Sequence, residues 1–155
     1  MTPVVDILLL LIVLVIGPLF IKRTYLSVGF VVGYICTALL NIFLKWMIQQ
    51  PRPNVDLEYF KVLLNTHKNN PFFIAKYCGM PSGHAQLAGF SLVYVVLSTH
   101  SWWIWVIMTL ATIGICIQRV VTQAHTLLQV LVGLLIGMGC GLAAYNVMVR
   151  FLKLK

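Results

Sequence analysis

Apolar residues are concentrated in five stretches that are separated by polar segments. These stretches lack Lys, Arg and Glu, and Asp6 is the only acidic residue in them. A membrane-spanning helix needs about 20 mainly apolar residues, and a charge inside it is costly. The pattern therefore predicts an all-α, multi-pass transmembrane bundle with five spanning helices, at Val4–Ile21, Tyr25–Leu44, Ala85–Thr99, Trp102–Ile117 and Thr126–Val149.

Three of these stretches allow a second interpretation. The third and fourth have 15 and 16 residues, so they either extend through Ser82 and Gln118 or span a thin or tilted arrangement. The first could be a cleaved signal peptide. However, Asp6 precedes any Lys or Arg, and no small-residue cleavage site precedes Lys22, so we predict a retained helix.

The only long polar segment is Gln49–Pro81, which joins the second and third predicted helices. Within it, Val55–His67 mixes apolar and polar residues at a spacing that predicts a short interfacial helix. We expect most of the remaining segment to be a solvated linker. Both ends of this segment carry residues that could bind a substrate or take part in catalysis.

Composition places the chain among integral membrane proteins. It has 155 residues, of which 61% are hydrophobic and 9% charged, whereas a soluble domain carries about 25% charged residues. We predict one membrane-embedded domain over residues 1–155, with an N-terminal helix and turn at 1–24, membrane lipid as a partner and no nucleic-acid partner. The cysteines show no metal-ligand spacing and are interpreted as core residues at Cys36, Cys78, Cys116 and Cys140.

Three cations lie at or next to the ends of predicted helices, namely Lys45, Arg52 and Arg119. The whole chain has only three acidic residues, so salt bridges cannot neutralise its eleven Lys and Arg side chains. An external anion such as phosphate can bind them instead. We interpret the other cations near helix ends as membrane-interface anchors: Lys22, Arg23, Arg150, Lys153 and Lys155.

The sequence Pro81-Ser82-Gly83-His84 precedes a predicted helix, where backbone N–H groups have no partner within the helix. Ser82 can cap this helix, and Gly83 lets an anion approach the backbone. A Ser-Gly-His sequence alone is a weak signal. Combined with the three cations, it indicates a phosphate-binding site.

His84 and His125 are the groups in these clusters that can exchange protons or act as nucleophiles near neutral pH. No carboxylate or cysteine accompanies them at ligand spacing, so we expect neither a metal nor another cofactor. We interpret His67 and His100 as interfacial residues. Cations, a hydroxyl and two imidazoles together indicate a phosphatase, and the apolar surroundings indicate that the phosphate is carried on a lipid.

These residues resemble the type 2 phosphatidic acid phosphatase superfamily. Its three-part signature corresponds to Lys45, six residues, Arg52-Pro53; then Pro81-Ser82-Gly83-His84; then Arg119, five residues, His125. The resemblance covers about residues 41–141, the motif-bearing core. The flanking residues are most similar to dolichyldiphosphatase members, at Tyr77-Cys78-Gly79-Met80, Gln86, His125-Thr126 and Gln129-Val130.

The resemblance implies a role for each residue. His125 would attack phosphorus and form a phosphohistidine, His84 would protonate the leaving oxygen, and Gln129 would orient His125. The phosphoryl oxygens would be held by Lys45, Arg52, Ser82, Gly83 and Arg119.

The implied reaction is the metal-independent hydrolysis of a lipid diphosphate, most similar to dolichyl or another polyprenyl diphosphate, to the monophosphate and inorganic phosphate. One alternative is a broader phosphatase for phosphatidate-type lipids. A second is a catalytically silent protein that binds lipid phosphates, and a third is a phosphate-conducting channel.

The chain departs from the superfamily pattern at three points. Gln118 stands where serine is usual, Gln129 stands where aspartate is usual, and five helices are predicted where six are usual. An amide can accept a hydrogen bond from the histidine ring but adds no charge. If Gln129 only orients His125, then Gln129→Asp is expected to keep or raise activity and to shift the pH optimum.

Two further expectations concern packing and orientation. Gly133, Gly137 and Gly141 form a small-residue stripe that favours close packing within the chain, or between subunits of a homo-oligomer. Five crossings put all the candidate site residues on one membrane face, opposite the basic tail. The positive-inside rule then predicts a cytoplasmic C-terminus and a catalytic face in the endoplasmic reticulum lumen or the periplasm.

Overall fold

The structure is a computed structural model that describes residue 19 and residues 21–99 and 101–153. The six helices of this part are α1 (Thr24–Ile48), α2 (Leu57–His67), α3 (Pro71–Tyr77), α4 (Gly83–Ser98), α5 (Trp102–Val121) and α6 (Leu127–Lys153). The predicted all-α membrane bundle is confirmed. Almost all of the predicted first helix lies outside the described residues, as do His100 and Lys155.

Three of the described helices are long and apolar enough to cross a membrane. They are α1, α5 and the part of α6 up to Phe151, and they confirm the second, fourth and fifth predicted stretches. Helix α5 extends beyond Ile117 to Val121, so Gln118 and Arg119 lie in its final turns. The fourth stretch is therefore a spanning helix of 20 residues.

Helix α4 has only 16 residues because it lies inside the bundle. It packs against α1, α5 and α6, and its buried residues face in all directions. Its side chains Phe90 and Tyr94 meet Phe30 of α1 and Met108 of α5 in the main core. A helix that is surrounded by protein need not match the width of the lipid core.

The glycine stripe of α6 lies directly against α4. A Cβ atom at Gly133 would lie 2.5 Å from Ser82 O, and one at Gly141 would lie 2.6 Å from Phe90 O. A Cβ atom at Gly137 would collide with the backbone of Gln86. The stripe therefore allows the two backbones to touch within one chain, and packing between subunits stays a prediction.

The long polar connection contains more structure than the sequence suggested. The short helix predicted within Val55–His67 is present as α2, and its position at the membrane interface stays a prediction. The Asp56 side chain caps it by accepting from Tyr59 N at 2.8 Å. The expectation of a solvated linker is wrong for Pro71–Tyr77, which forms α3. The two helices enclose a small second core, made of Phe60, Phe73, Ile74 and Cys78, because their apolar faces cover each other.

Candidate active site

The candidate residues lie at one end of the bundle. Helices α1 and α5 end there and α4 and α6 begin there, as expected for neighbouring helices that alternate in direction. Lys45 and Arg119 are in the last turns of α1 and α5. His84 is the second residue of α4, and His125 lies two residues before α6.

Backbone hydrogen bonds join the two ends of the long connection beside these helices. Arg52 N donates to Tyr77 O at 3.2 Å, and Gly79 N donates to Gln50 O at 2.7 Å. Between them, Pro51 and Cys78 form an isolated antiparallel bridge. These contacts place Arg52 next to α3 and place Gly79 next to the start of α6.

Lys45 and Arg52 point to the same backbone oxygen. Lys45 Nζ lies 3.5 Å from Ala75 O, and Arg52 Nη2 donates to it at 3.0 Å. Lys45 is buried, and Arg52 Nε is buried without a hydrogen bond to any described residue. Burial, and then the positive charge of Arg119, lower the pKa of Arg52. Lys45, Arg52 and Arg119 are thus close enough to affect one another, and no described carboxylate forms a salt bridge with them. This is the electrostatic condition for binding an anion.

The His125 ring is held by one nitrogen. Its Nδ1 lies 3.0 Å from Gly79 O and 3.3 Å from Gln129 Oε1. Both partners are oxygens that accept, so Nδ1 carries the proton and Nε2 keeps its lone pair. Burial, followed by the charges of Arg52 and Lys45, lowers the pKa of His125 to about 3. The free ring is therefore neutral at physiological pH, with Nε2 able to act as a nucleophile.

Gln129 uses both ends of its amide. Oε1 accepts from His125 and from Thr126 N, while Gln129 N donates to Thr126 Oγ1, which forms a capping box at the start of α6. Nε2 donates to Gln50 Oε1 at 3.3 Å and to Pro51 O at 3.1 Å. Gln129 thus joins the histidine to the segment that carries Arg52, a task that needs an amide donor as well as an acceptor.

Gly79 has a steric role that the sequence did not reveal. A Cβ atom at this position would lie 2.6 Å from Gln129 Oε1 and 2.8 Å from Gln129 Nε2. Only glycine lets the Gln129 amide and the Gly79 carbonyl approach His125 together. The sequence indicated Gly79 only as part of a flanking resemblance.

The Pro81–His84 segment is attached to the first turn of α6, since Ser82 N donates to Gln129 O at 3.0 Å. Ser82 occupies the N-cap position of α4, but its hydroxyl makes no capping bond, which corrects the expectation that it caps the helix. Ser82 Oγ is buried and has no hydrogen-bond partner among the described residues. It is therefore a donor that a phosphoryl oxygen could use.

A buried amide network supports this segment from behind. Asn41 Nδ2 donates to Pro81 O at 3.2 Å and to Gln86 Oε1 at 2.8 Å, and Gln86 Nε2 donates to Thr37 O at 3.3 Å. A Cβ atom at Gly83 would lie 3.0 Å from Asn41 Oδ1. The role of Asn41 was not predicted, although an amide inside the apolar stretch Tyr25–Leu44 is a signal that it has a partner.

Gln118 and Arg119 form the remaining part of the site. Gln118 Oε1 accepts from Arg119 Nε at 3.0 Å, so the amide orients the guanidinium. The Arg119 carbonyl accepts from His125 N at 3.1 Å, which fixes the turn between α5 and α6. His84 is half-buried at the same end of the bundle, and its role as an acid stays a prediction.

The model of the PAP2 superfamily matches residues 7–153, nearly the whole chain. No curated protein and no solved structure matches the chain. Members of the PAP2 superfamily are phosphatases, and the match supports a lipid phosphatase. The chain belongs to the PAP2 superfamily.

Proposed function

We propose that this protein hydrolyses a lipid diphosphate, with a polyprenyl diphosphate as the best-fitting substrate, through a phosphohistidine at His125. The observation that carries the proposal is the binding of the His125 ring through Nδ1, which leaves Nε2 free next to buried cations. A silent binding protein would need the cations but not a histidine fixed in its nucleophilic tautomer.

In the first step, the Nε2 lone pair of His125 attacks the terminal phosphorus, and the bond from phosphorus to the bridging oxygen breaks. The bridging oxygen leaves with the lipid monophosphate and takes a proton from His84. In the second step, a water oxygen attacks the phosphorus of the phosphohistidine while His84 accepts a proton from the water. The bond from phosphorus to His125 Nε2 breaks, its electron pair returns to Nε2, and inorganic phosphate leaves. Positive charge near the equatorial oxygens is the main requirement of such a transfer, and Lys45, Arg52 and Arg119 supply it.

The proposal needs no metal. In the part of the chain that the structure describes, no three His, Cys, Asp or Glu side chains are grouped so that they could hold an ion. The donor groups present are guanidinium, ammonium, hydroxyl and backbone N–H, which bind phosphoryl oxygens directly.

Two observations favour a lipid diphosphate. Three of the residues that resemble dolichyldiphosphatase are in contact, since Gly79 and Gln129 both lie against His125. An apolar groove of about 250 Å³ lies between α1 and α3 and includes Trp46 and Ile74. Ile74 precedes Ala75, whose carbonyl binds Lys45 and Arg52, so a lipid chain in this groove would start near the phosphate.

Phosphate release by the purified protein in detergent with EDTA tests the function. We expect release from polyprenyl diphosphate that is faster than from phosphatidate, together with polyprenyl monophosphate as the product. Faster hydrolysis of phosphatidate would replace the proposed substrate with a phosphatidate-type lipid. Binding without turnover of either lipid would contradict the enzyme. His67→Ala, at an exposed position in α2, is the matched histidine control.

We also propose that the site opens to the lumen or periplasm and that the C-terminus is cytoplasmic, because Lys22, Arg23 and Arg150 lie at the opposite end. Asn69 is exposed on the site side. Asn69→Cys and a cysteine added at the C-terminus can be labelled with an impermeant thiol reagent on sealed cells. Labelling of Asn69→Cys only from the cytoplasmic side would reverse the orientation. The background lacks the native thiols at Cys36, Cys78, Cys116 and Cys140.

A further inference from the structure

A polar cavity lies at the end of the bundle opposite His125. Its volume is about 590 Å³, more than twice that of the apolar groove of about 250 Å³ beside the site. It is lined by Lys22 and Arg23 before α1, by Ser98 at the end of α4 and Ser101 before α5, and by aromatic side chains that include Trp103 and Tyr145. Helix α5 separates the two ends by about 30 Å, so this cavity is not part of the catalytic site.

The cations of this cavity have no acidic partner among the described residues. The acids in that part of the chain are Asp56 and Glu58, and both lie at the start of α2, at the other end of the bundle. Arg23 Nη1 instead donates to the neutral hydroxyl of Tyr25 at 2.8 Å. Two positive charges therefore stand at a cavity wall without a counter-charge from this region.

The helix ends add to the positive potential. Both α1 and α5 begin at the cavity, and neither Arg23 nor Ser101 caps its helix with a side-chain hydrogen bond. The first N–H groups of both helices therefore have no capping side chain, and the positive ends of their dipoles face this region.

The end of α4 also lies here, and its carbonyl groups would oppose an anion. The carbonyls of Val95, Val96 and the C-cap residue Thr99 already have donors. Val95 O accepts from Thr99 N at 2.9 Å and from Thr99 Oγ1 at 2.8 Å. Trp105 Nε1 donates to Val96 O and Thr99 O, both at 3.1 Å. Thr99 and Trp105 thus donate to carbonyls at this end of α4, and the charged side chains that line the cavity are Lys22 and Arg23.

The cavity also offers a hydroxyl and an apolar wall. Ser98 Oγ is buried and has no hydrogen-bond partner among the described residues. Leu26 and Ile104 line the cavity as buried aliphatic side chains, and Trp103 belongs to a tryptophan cluster typical of a membrane interface. Cations, amides and a hydroxyl beside apolar side chains match a ligand with an anionic head and a lipid body.

We propose that this cavity binds the phosphate headgroup of an anionic membrane phospholipid, with Lys22 and Arg23 as its charged contacts. These residues would then be more than interface anchors. The site would hold a structural or regulatory lipid on the membrane face opposite the catalytic residues. The inference does not depend on the proposed reaction.

Native mass spectrometry of the delipidated full-length protein with added phosphatidylglycerol or phosphatidylcholine tests the proposal. We expect one phosphatidylglycerol to bind more tightly than phosphatidylcholine. The double variant Lys22→Gln/Arg23→Gln should bind it about thirtyfold more weakly, since each basic residue near an anionic lipid contributes about 1 kcal/mol. Lys61→Gln/Lys68→Gln removes the same charge from exposed positions elsewhere and should leave the affinity unchanged.

A second variant tests location rather than charge. Ser98→Phe places a ring in the cavity and keeps both cations, so it should also weaken phosphatidylglycerol binding at least tenfold while phosphate release at His125 continues. Equal binding by the wild type and the double variant, or no preference for phosphatidylglycerol, would overturn the proposal. Displacement of the lipid by millimolar inorganic phosphate would overturn it in favour of a soluble phosphate ligand.

Discussion

Replacing Gln129 with glutamate tests the idea that this residue must donate as well as accept. Gln129→Glu keeps the shape of the side chain and the oxygen that faces His125. It removes the donor to Gln50 Oε1 at 3.3 Å and to Pro51 O at 3.1 Å, and it puts a carboxylate oxygen against the Pro51 carbonyl. Leaving a buried acceptor without its donor costs about 1–3 kcal/mol.

Without this donor, the Pro51 carbonyl should move away from the introduced carboxylate. Arg52 directly follows Pro51, so this movement should displace a cation that binds phosphate. We expect kcat/KM of Gln129→Glu to fall by about tenfold to a hundredfold, which corresponds to about 1.4–2.8 kcal/mol. The added carboxylate also stabilises the imidazolium form of His125 and raises its pKa from about 3. Activity should therefore fall further as the pH is lowered.

The assay is phosphate release from a lipid diphosphate between pH 5 and pH 9. Gln123→Glu is the matched control, because Gln123 is exposed in the turn before His125 and the substitution adds the same charge. Wild-type rates in Gln129→Glu at every pH would refute the need for the amide donors. The same geometry changes the expectation for Gln129→Asp. That side chain is one methylene shorter and cannot reach both His125 and Pro51, so we now expect lower activity.

Three other predictions use the same contacts. Gly79→Ala should lower kcat at least tenfold and also lower the melting temperature, because its Cβ would displace the Gln129 amide from its buried hydrogen bonds; wild-type turnover would contradict this. The pKa of His125 is lowered to about 3 in the folded protein, so the unfolded chain binds more protons between about pH 6.5 and pH 3, and stability should fall as the pH drops through this window. The melting temperature should accordingly fall more from pH 7 to pH 5 in the wild type than in His125→Asn; equal decreases would contradict it. Asn41→Leu should lower kcat/KM by removing the donor to Pro81 O at 3.2 Å, and full phosphate release would show that the support is dispensable.

The second, fourth and fifth spanning helices could be predicted from the sequence because their apolar residues are continuous and charges lie near their ends. Helix α3 was missed because it has only 7 residues, too few to show a clear helical period. Helix α4 is short and lies among the other helices. Its burial could not be predicted from its own stretch of sequence, because burial depends on how the helices pack together.

The motif residues could be identified from their spacing, whereas their supporting contacts could not. Gln129 and Pro51 are 78 positions apart, and only the fold brings the amide to that carbonyl. From the sequence alone, Gln129 differs from the usual aspartate only in adding no charge beside His125, because its other partners are not visible there. In the structure, Gln129 Oε1 accepts from His125, and Gln129 Nε2 donates to Gln50 and Pro51. An amide can make both kinds of bond, whereas a carboxylate can only accept.

The most direct test of the central claim is to trap the phosphoenzyme. The protein is mixed with lipid diphosphate labelled in the terminal phosphate, quenched in alkali, and digested to find the labelled residue. We expect label on His125 in the wild type, and neither label nor turnover in His125→Ala. His84→Ala should turn over slowly because it lacks the proposed acid, and the decrease should be largest for substrates with poor leaving groups. Full turnover by His125→Ala, or label on another residue, would contradict the nucleophile assigned to this site.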